Sequence, residues 1–369
     1  MQRSYRSYLN VLATSFVLLL VTTALFILLV DPYRFFASPL ALGFNVIKPK
    51  PSIMRDEMRL NLALKQKPEL LFVGNSRFEM GINPESALVK SVSSRAQNFT
   101  IPGNTLAQAI PSLERIGELN SVKVMVLGLD FQDYLTARDR HDLARAELSV
   151  NEALINFYID PKWISLLQFD TLTDSIRTVL LQSEKYPETI FASGFNPAYD
   201  YQKYLAREGH HSLFEQSLAS LRTKILKAKQ LPDFLVLQTD SDRFREVTSI
   251  LDSAKKSGWR VELVIYPVHA EALALYEQQG VSNLLNQWKV QMKIRADRAA
   301  SGGTQVRLHD FACLSEITTE PVPRRGDLKS RMRYYFEAGH FQQNLGDLIV
   351  KETIRNSKTP LSSQACAHL

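Results

Sequence analysis

The sequence predicts an α/β protein: a doubly wound, five-stranded parallel sheet in the order 2-1-3-4-5, with a helical insertion and an N-terminal transmembrane helix. Three observations predict the class, and the order is the one whose switch point brings a late Glu337-x-x-His340 loop to the end of the first strand. Short apolar, β-branched runs alternate with segments of helical periodicity, as in a chain of βαβ units. The first such run, Leu70-Leu71-Phe72-Val73, passes straight into Gly74-Asn75-Ser76-Arg77, which puts polar chemistry at the carboxyl edge of a buried strand. Residues 9–30 carry no charge and are long enough to cross a bilayer as a helix. The chain has 369 residues, 45% hydrophobic and 22% charged, which is ample for a large core.

Arg3 and Arg6 precede the apolar run. The tail 1–8 is therefore read as cytoplasmic, 9–30 as an uncleaved anchor and the body as exported. A cleavable signal is the alternative, with Phe36-Ala37-Ser38 as a poor cleavage site. Residues 31–68 read as a stalk and leading helix: prolines extend 45–51, and 55–67 is amphipathic with Met58, Leu62 and Ala63 on one side. The first strand follows. A second, 96–101, ends at Pro102-Gly103-Asn104-Thr105; a helix over 105–118 and a third strand over 122–130 come next.

From 132 to 231 the strand pattern stops, and helical segments at 151–157 and 212–229 take over. This is read as a helical insertion at the carboxyl edge of the sheet, suited to a lid or a polymer-binding wall. His210 and His211, paired on a polar segment within it, read as surface residues. The sheet pattern resumes over 232–356, giving an α/β domain of 69–131 plus 232–356. Its parts are a helix over 241–257 and a strand over 261–266, then one long helix over 271–300 and a strand over 306–311. A loop over 334–341 leads to a last helix over 344–355. Residues 357–369 form a C-terminal tail.

The net charge of +6 comes without a dense basic block, so no nucleic-acid partner is expected; a lipid surface or an anionic polymer fits. No Cys/His spacing suits zinc, and neither a metal nor a cofactor is expected. Cys313 and Cys366 would pair in an exported compartment; two unpaired thiols are the alternative.

Ser76 is either a nucleophile or a helix cap. Glu337 and His340, three residues apart in a loop, can supply an acid and a base from one segment. His269, after the fourth strand, lines the cleft or caps the next helix. Tyr334, Tyr335 and Phe336 form a sugar-stacking platform or a core segment. Arg77 binds a substrate carboxylate or pairs with a nearby acid.

On Gly74-Asn75-Ser76, Gly103, Gly128-Leu129-Asp130-Phe131 and Glu337-x-x-His340, the chain resembles the SGNH (GDSL-type) hydrolase superfamily. Within it, the chain is similar to membrane-anchored proteins of bacterial cell-envelope polysaccharide acylation, of the alginate O-acetylation and D-alanyl transfer types. The resemblance covers about 69–131 and 258–355. It implies Ser76 as nucleophile, His340 as base and Glu337 in place of the usual aspartate. The backbone N–H groups of Ser76 and Gly103 would then receive the oxyanion, and Arg77, Asp130, His269 and Tyr335 would border the substrate.

It further implies an O-acyltransferase or acylesterase on the periplasmic side of a bacterial inner membrane. Such an enzyme would act on a polysaccharide and take its acyl group from a membrane-bound acyltransferase. One departure is Asp130, where the family has an asparagine that donates to the oxyanion. An ionised Asp130 would repel it, at a typical cost of about 2.7–4 kcal/mol for a lost donor, unless Asn104 or a backbone amide substitutes. The rival reading is a catalytically degenerate binding or assembly component of the same kind of system.

Overall fold

The computed structural model describes residues 2–51, 53–101, 103, 106–135, 161–231 and 244–355. Five strands, β1 (Leu70–Gly74), β2 (Ala96–Thr100), β3 (Val124–Leu129), β4 (Arg260–Ile265) and β5 (Val306–Asp310), form one sheet. Its order is β2-β1-β3-β4-β5, and every neighbouring pair is parallel. β1 is buried along its whole length and β5, at the edge, is half-buried throughout. A short antiparallel pair, β6 (Tyr335–Glu337) and β7 (His340–Phe341), stands apart from this sheet.

The helices up to residue 117 are α1 (Gln2–Val30), α2 (Arg55–Gln66), α3 (Ser76–Gly81), α4 (Ala87–Val92) and α5 (Ile110–Gly117). Next come α6 (Pro161–Ser165), α7 (Phe169–Leu181) and α8 (Tyr199–Lys229), then α9 (Arg245–Lys256), α10 (Ala270–Gln278), α11 (Ser282–Ser301) and α12 (Gln343–Val350). α1 is long and apolar enough to cross a membrane.

The chain divides into two compact units: residues 1–61 with the described part of 148–190, and the rest around the sheet. The expected stalk is therefore folded. The Asp31 carboxylate collects the N–H groups of Phe35, Phe36 and Ser38, and the Asn45 amide donates to the carbonyls of Leu29 and Pro39. Pro49 bridges Thr189, and the Tyr33 hydroxyl donates to Asp174 at 2.8 Å. The insertion expected over 132–231 accordingly splits, with α6 and α7 in the first unit and α8 beside the sheet.

Two helices depart from expectation. The one over 271–300 is broken into α10 and α11 by Gly280, whose φ of +64° closes α10; Gly280 and Val281 donate back to Glu277 and Tyr276. Apolar spacing resumes at once on the far side, which hides the break in the sequence. α8 kinks at Gly209, where φ is +71°. The helical segment expected at 151–157 and the start of the one at 241 lie outside the described residues.

Candidate active site

The site is assembled at the carboxyl end of β1. A Cβ on Gly74 would lie 2.1 Å from the Tyr266 hydroxyl, so only glycine lets β1 end against that ring. Asn75 then caps α3: its side-chain oxygen accepts from the Arg77 N–H at 3.1 Å, and its own N–H donates to the Tyr266 hydroxyl at 3.3 Å. Ser76 opens α3. At the other end of α3, the buried Asn98 of β2 donates to the carbonyls of Phe78 and Ile82, at 2.7 and 2.8 Å.

The partners of Ser76 arrive from the opposite end of the chain. Glu337 and His340 face each other across the β6–β7 turn. The Ser76 hydroxyl is 2.8 Å from His340 Nε2, and His340 Nδ1 is hydrogen-bonded to the Glu337 carboxylate. An Nδ1–H donated to Glu337 leaves Nε2 as the acceptor for the serine proton. The second Glu337 oxygen accepts the Gly339 N–H at 2.6 Å. Burial pushes the Glu337 carboxyl up, but the His340 charge and hydrogen bond, the Gly339 N–H and the Ser217 hydroxyl outweigh it and hold it below the ordinary range. The Ser217 hydroxyl has a second acceptor, the Phe214 carbonyl at 3.1 Å.

The β6 segment is itself fixed by His210. This residue is fully buried, contrary to the surface position expected of it. Its Nδ1 donates to the Phe336 carbonyl at 3.0 Å and its Nε2 accepts the Met332 N–H at 3.1 Å. Burial lowers its pKa, which keeps the ring neutral for both bonds.

Two cavities meet at His340. The smaller, about 290 Å³, is lined by Ser76, Arg77, Gly103, Asp130, Asp133 and Lys224, among others. Ser76 and Gly103, whose N–H groups were expected to receive an oxyanion, thus border one space. Asp130 also borders it, yet its charge is matched: Arg77 Nε is 3.2 Å away, the Asn75 amide 2.9 Å, and the Gln132 N–H 2.9 Å. This answers the expected repulsion of an oxyanion, and it gives Arg77 the ion-pair role. Asp133 is pushed up to about 7, first by burial and then by the Asp130 charge. The larger cavity, about 540 Å³, runs along α8 and is lined by Tyr201, Tyr204, Glu208, Gln216, Lys224 and His340, among others.

Two expected substrate contacts are placed elsewhere. His269 is buried: its Nδ1 accepts the Glu271 N–H to cap α10, and its Nε2 donates to the Glu320 carbonyl at 2.9 Å. Tyr335 is buried edge-on against His269, with ring centroids 5.0 Å apart, so it offers no open face for stacking. Both stand outside the linings of the two cavities. Asn104, and Cys366 of the expected Cys313–Cys366 bridge, lie outside the described residues.

The sequence reading missed Asp133, Lys224, Ser217 and Tyr201. A signal existed for Asp133, three residues beyond Asp130 at the end of a strand. The others ride on α8, whose packing no local pattern announces.

The arrangement holds a serine hydroxyl, an imidazole acceptor and an ionised carboxylate in one relay beside a polar cavity, which is the apparatus for nucleophilic attack on an activated carbonyl. Comparison of the chain with protein-family models, curated proteins and solved structures finds no match.

Proposed function

We propose that this chain is a membrane-anchored serine acyl-transfer enzyme that works through an ester on Ser76 and acts on an envelope or exported polysaccharide. The observation that carries the reading is the relay from Ser76 Oγ through His340 Nε2, at 2.8 Å, to Glu337. Supporting it, the nucleophile stands at the carboxyl end of β1 in a 2-1-3-4-5 sheet, as the SGNH resemblance requires.

In the reaction, Ser76 Oγ attacks the carbonyl carbon of an acyl donor while its proton passes to His340 Nε2. Glu337 stabilises the imidazolium, and the backbone N–H groups of Ser76 and Gly103 receive the oxyanion. Collapse expels the donor's alcohol or thiol, protonated by His340. An acceptor hydroxyl then gives its proton to His340 and takes the acyl group, and His340 returns that proton to the departing Ser76 Oγ; water as acceptor makes the same reaction hydrolysis. Polar walls and a volume near 290 Å³ suit a small acyl group rather than a long chain. The cavity along α8 offers phenol, amide and carboxylate side chains of the kind that bind polyols.

The apolar run 9–30 of α1, with Arg3 and Arg6 ahead of it in the same helix, supports an inner-membrane anchor with the body outside the cytoplasm. An acyl donor would then reach Ser76 from a membrane-bound acyltransferase. The rival reading, a binding component without turnover, draws on Asp130, but the Arg77 pair removes most of that argument.

Incubation with an activated acetyl ester, followed by peptide mass spectrometry, should find the adduct on Ser76 and lose it in Ser76→Ala. Equal labelling in the variant would take Ser76 out of the mechanism. An unlabelled wild-type chain that still binds polymer would favour the rival.

A further inference from the structure

α7 is built inside out. Thr171, Asp174, Ser175 and Thr178, spaced three and four apart, are at most 2% exposed. On the opposite stripe Phe169, Ile176 and Leu180 are 79%, 48% and 64% exposed. A helix at a water-facing surface has the reverse pattern. Three of the four buried polar side chains are bonded within the unit: Ser175 donates to the Thr171 carbonyl and Thr178 to the Asp174 carbonyl, both at 2.7 Å, and Asp174 accepts from Tyr33.

What covers the apolar stripe is indicated by what α7 packs against. It lies along α1, within the same compact unit. Ile27 and Val30, in the last turn of α1, are buried, while Leu25 and Leu29 remain exposed. The exposed apolar surface of the membrane-length helix therefore continues onto α7. Leu42, 93% exposed in the segment after α1, and Trp163, 52% exposed on α6, are further exposed apolar side chains of the same unit. Lys162 Nζ sits 5.4 Å from the Trp163 ring centroid, a pairing suited to the headgroup level of a bilayer. At 13 residues α7 is about 20 Å long, well short of a hydrocarbon core about 30 Å thick.

We propose that α7, with Trp163 and Leu42 of the same unit, forms a lipid-contacting face that lies in the interfacial layer of the bilayer crossed by α1. The first unit is then held by a span and a surface helix together, which fixes its tilt where a lone span would leave it free to swivel. This inference rests on α1 crossing the bilayer and is independent of the chemistry at Ser76.

The chain carries its own probe, because the other two of its three tryptophans, Trp259 and Trp288, are buried at 2% and 0%. The full chain is reconstituted in nanodiscs of phosphatidylethanolamine and phosphatidylglycerol, with and without bromine near the glycerol end of the acyl chains. The emission lost in Trp163→Phe is the Trp163 component, and brominated lipid should quench most of it. Ile176→Trp in the Trp163→Phe background reports α7 directly and should be quenched likewise.

Unquenched emission at both positions, in a chain that resists alkaline carbonate extraction, overturns the lipid face and leaves the anchor standing. Extraction by carbonate overturns both. Absence of quenching, with a photo-crosslinker at Ile176 capturing a protein in native membranes, makes α7 a protein-binding face instead.

Discussion

Beside Ser76, two carboxylates border the same cavity but differ in their partners. Asp130 is paired with Arg77 and Asn75, whereas Asp133 is pushed up to about 7 by burial and by Asp130. The native chain therefore keeps a proton on Asp133 that the unfolded chain releases near pH 4. That contribution to stability is complete at acid pH and is lost as pH rises through about 7. Asp133→Asn should flatten this slope and gain roughly 1–3 kcal/mol on the wild type at pH 8, read from urea midpoints at pH 5 and pH 8. Parallel pH profiles would remove Asp133 as the titrating group.

Glu337 has the opposite sign: held below its ordinary value, it stabilises above the unfolded pKa, and its contribution is lost as pH falls through the folded one. Ser76, Glu337 and His340 were legible because their order along the chain fits a strand end and a late loop. His269 and Tyr335 misled because position at the carboxyl edge does not fix where a side chain points; their own packing turned them inward.

Among the elements, α3, which Ser76 opens, and α12, which follows the β6–β7 pair, are in close contact. A Cβ on Gly346 would lie 1.8 Å from the Gly81 carbonyl oxygen, and one on Gly81 would lie 2.0 Å from the Phe341 ring. A backbone oxygen cannot swing aside as a side chain can. Gly346→Ala should therefore push α12 off α3, destabilise by about 1–3 kcal/mol and slow Ser76 acylation along with it. Thermal melts and burst-phase acylation check both; an unchanged melting temperature would mean that the helices part without cost. Sequence gave no hint of this contact, because a mid-helix glycine reads only as a weak helix former. Strands, by contrast, were legible: an apolar β-branched run between turn residues has few other destinations in a chain of this composition.

At the scale of the molecule, the parallel sheet followed from the alternation of strands with helices, and its order from the need to bring a late loop to the end of the first strand. The division into two units did not. Residues 31–61 and 161–190 join through distant contacts such as Tyr33 with Asp174 and Pro49 with Thr189, and no shift in composition marks either segment. If α1 places the body outside the cytoplasm, alkaline phosphatase fused after residue 369 should be active in cells, and a cytoplasmic reporter such as green fluorescent protein should stay dark when exported through the general secretory route. The opposite pair of signals would reverse the orientation.

The relay also has an order in time. Ser76 precedes His340 by 264 residues, and Glu337 and His340 share one turn close to the end of the described residues. A chain made from its amino end carries Ser76 through most of its synthesis with neither Glu337 nor His340 beside it. The two partners then arrive together. A product cut short before Glu337 keeps the serine and lacks both partners, so incomplete copies cannot form the relay.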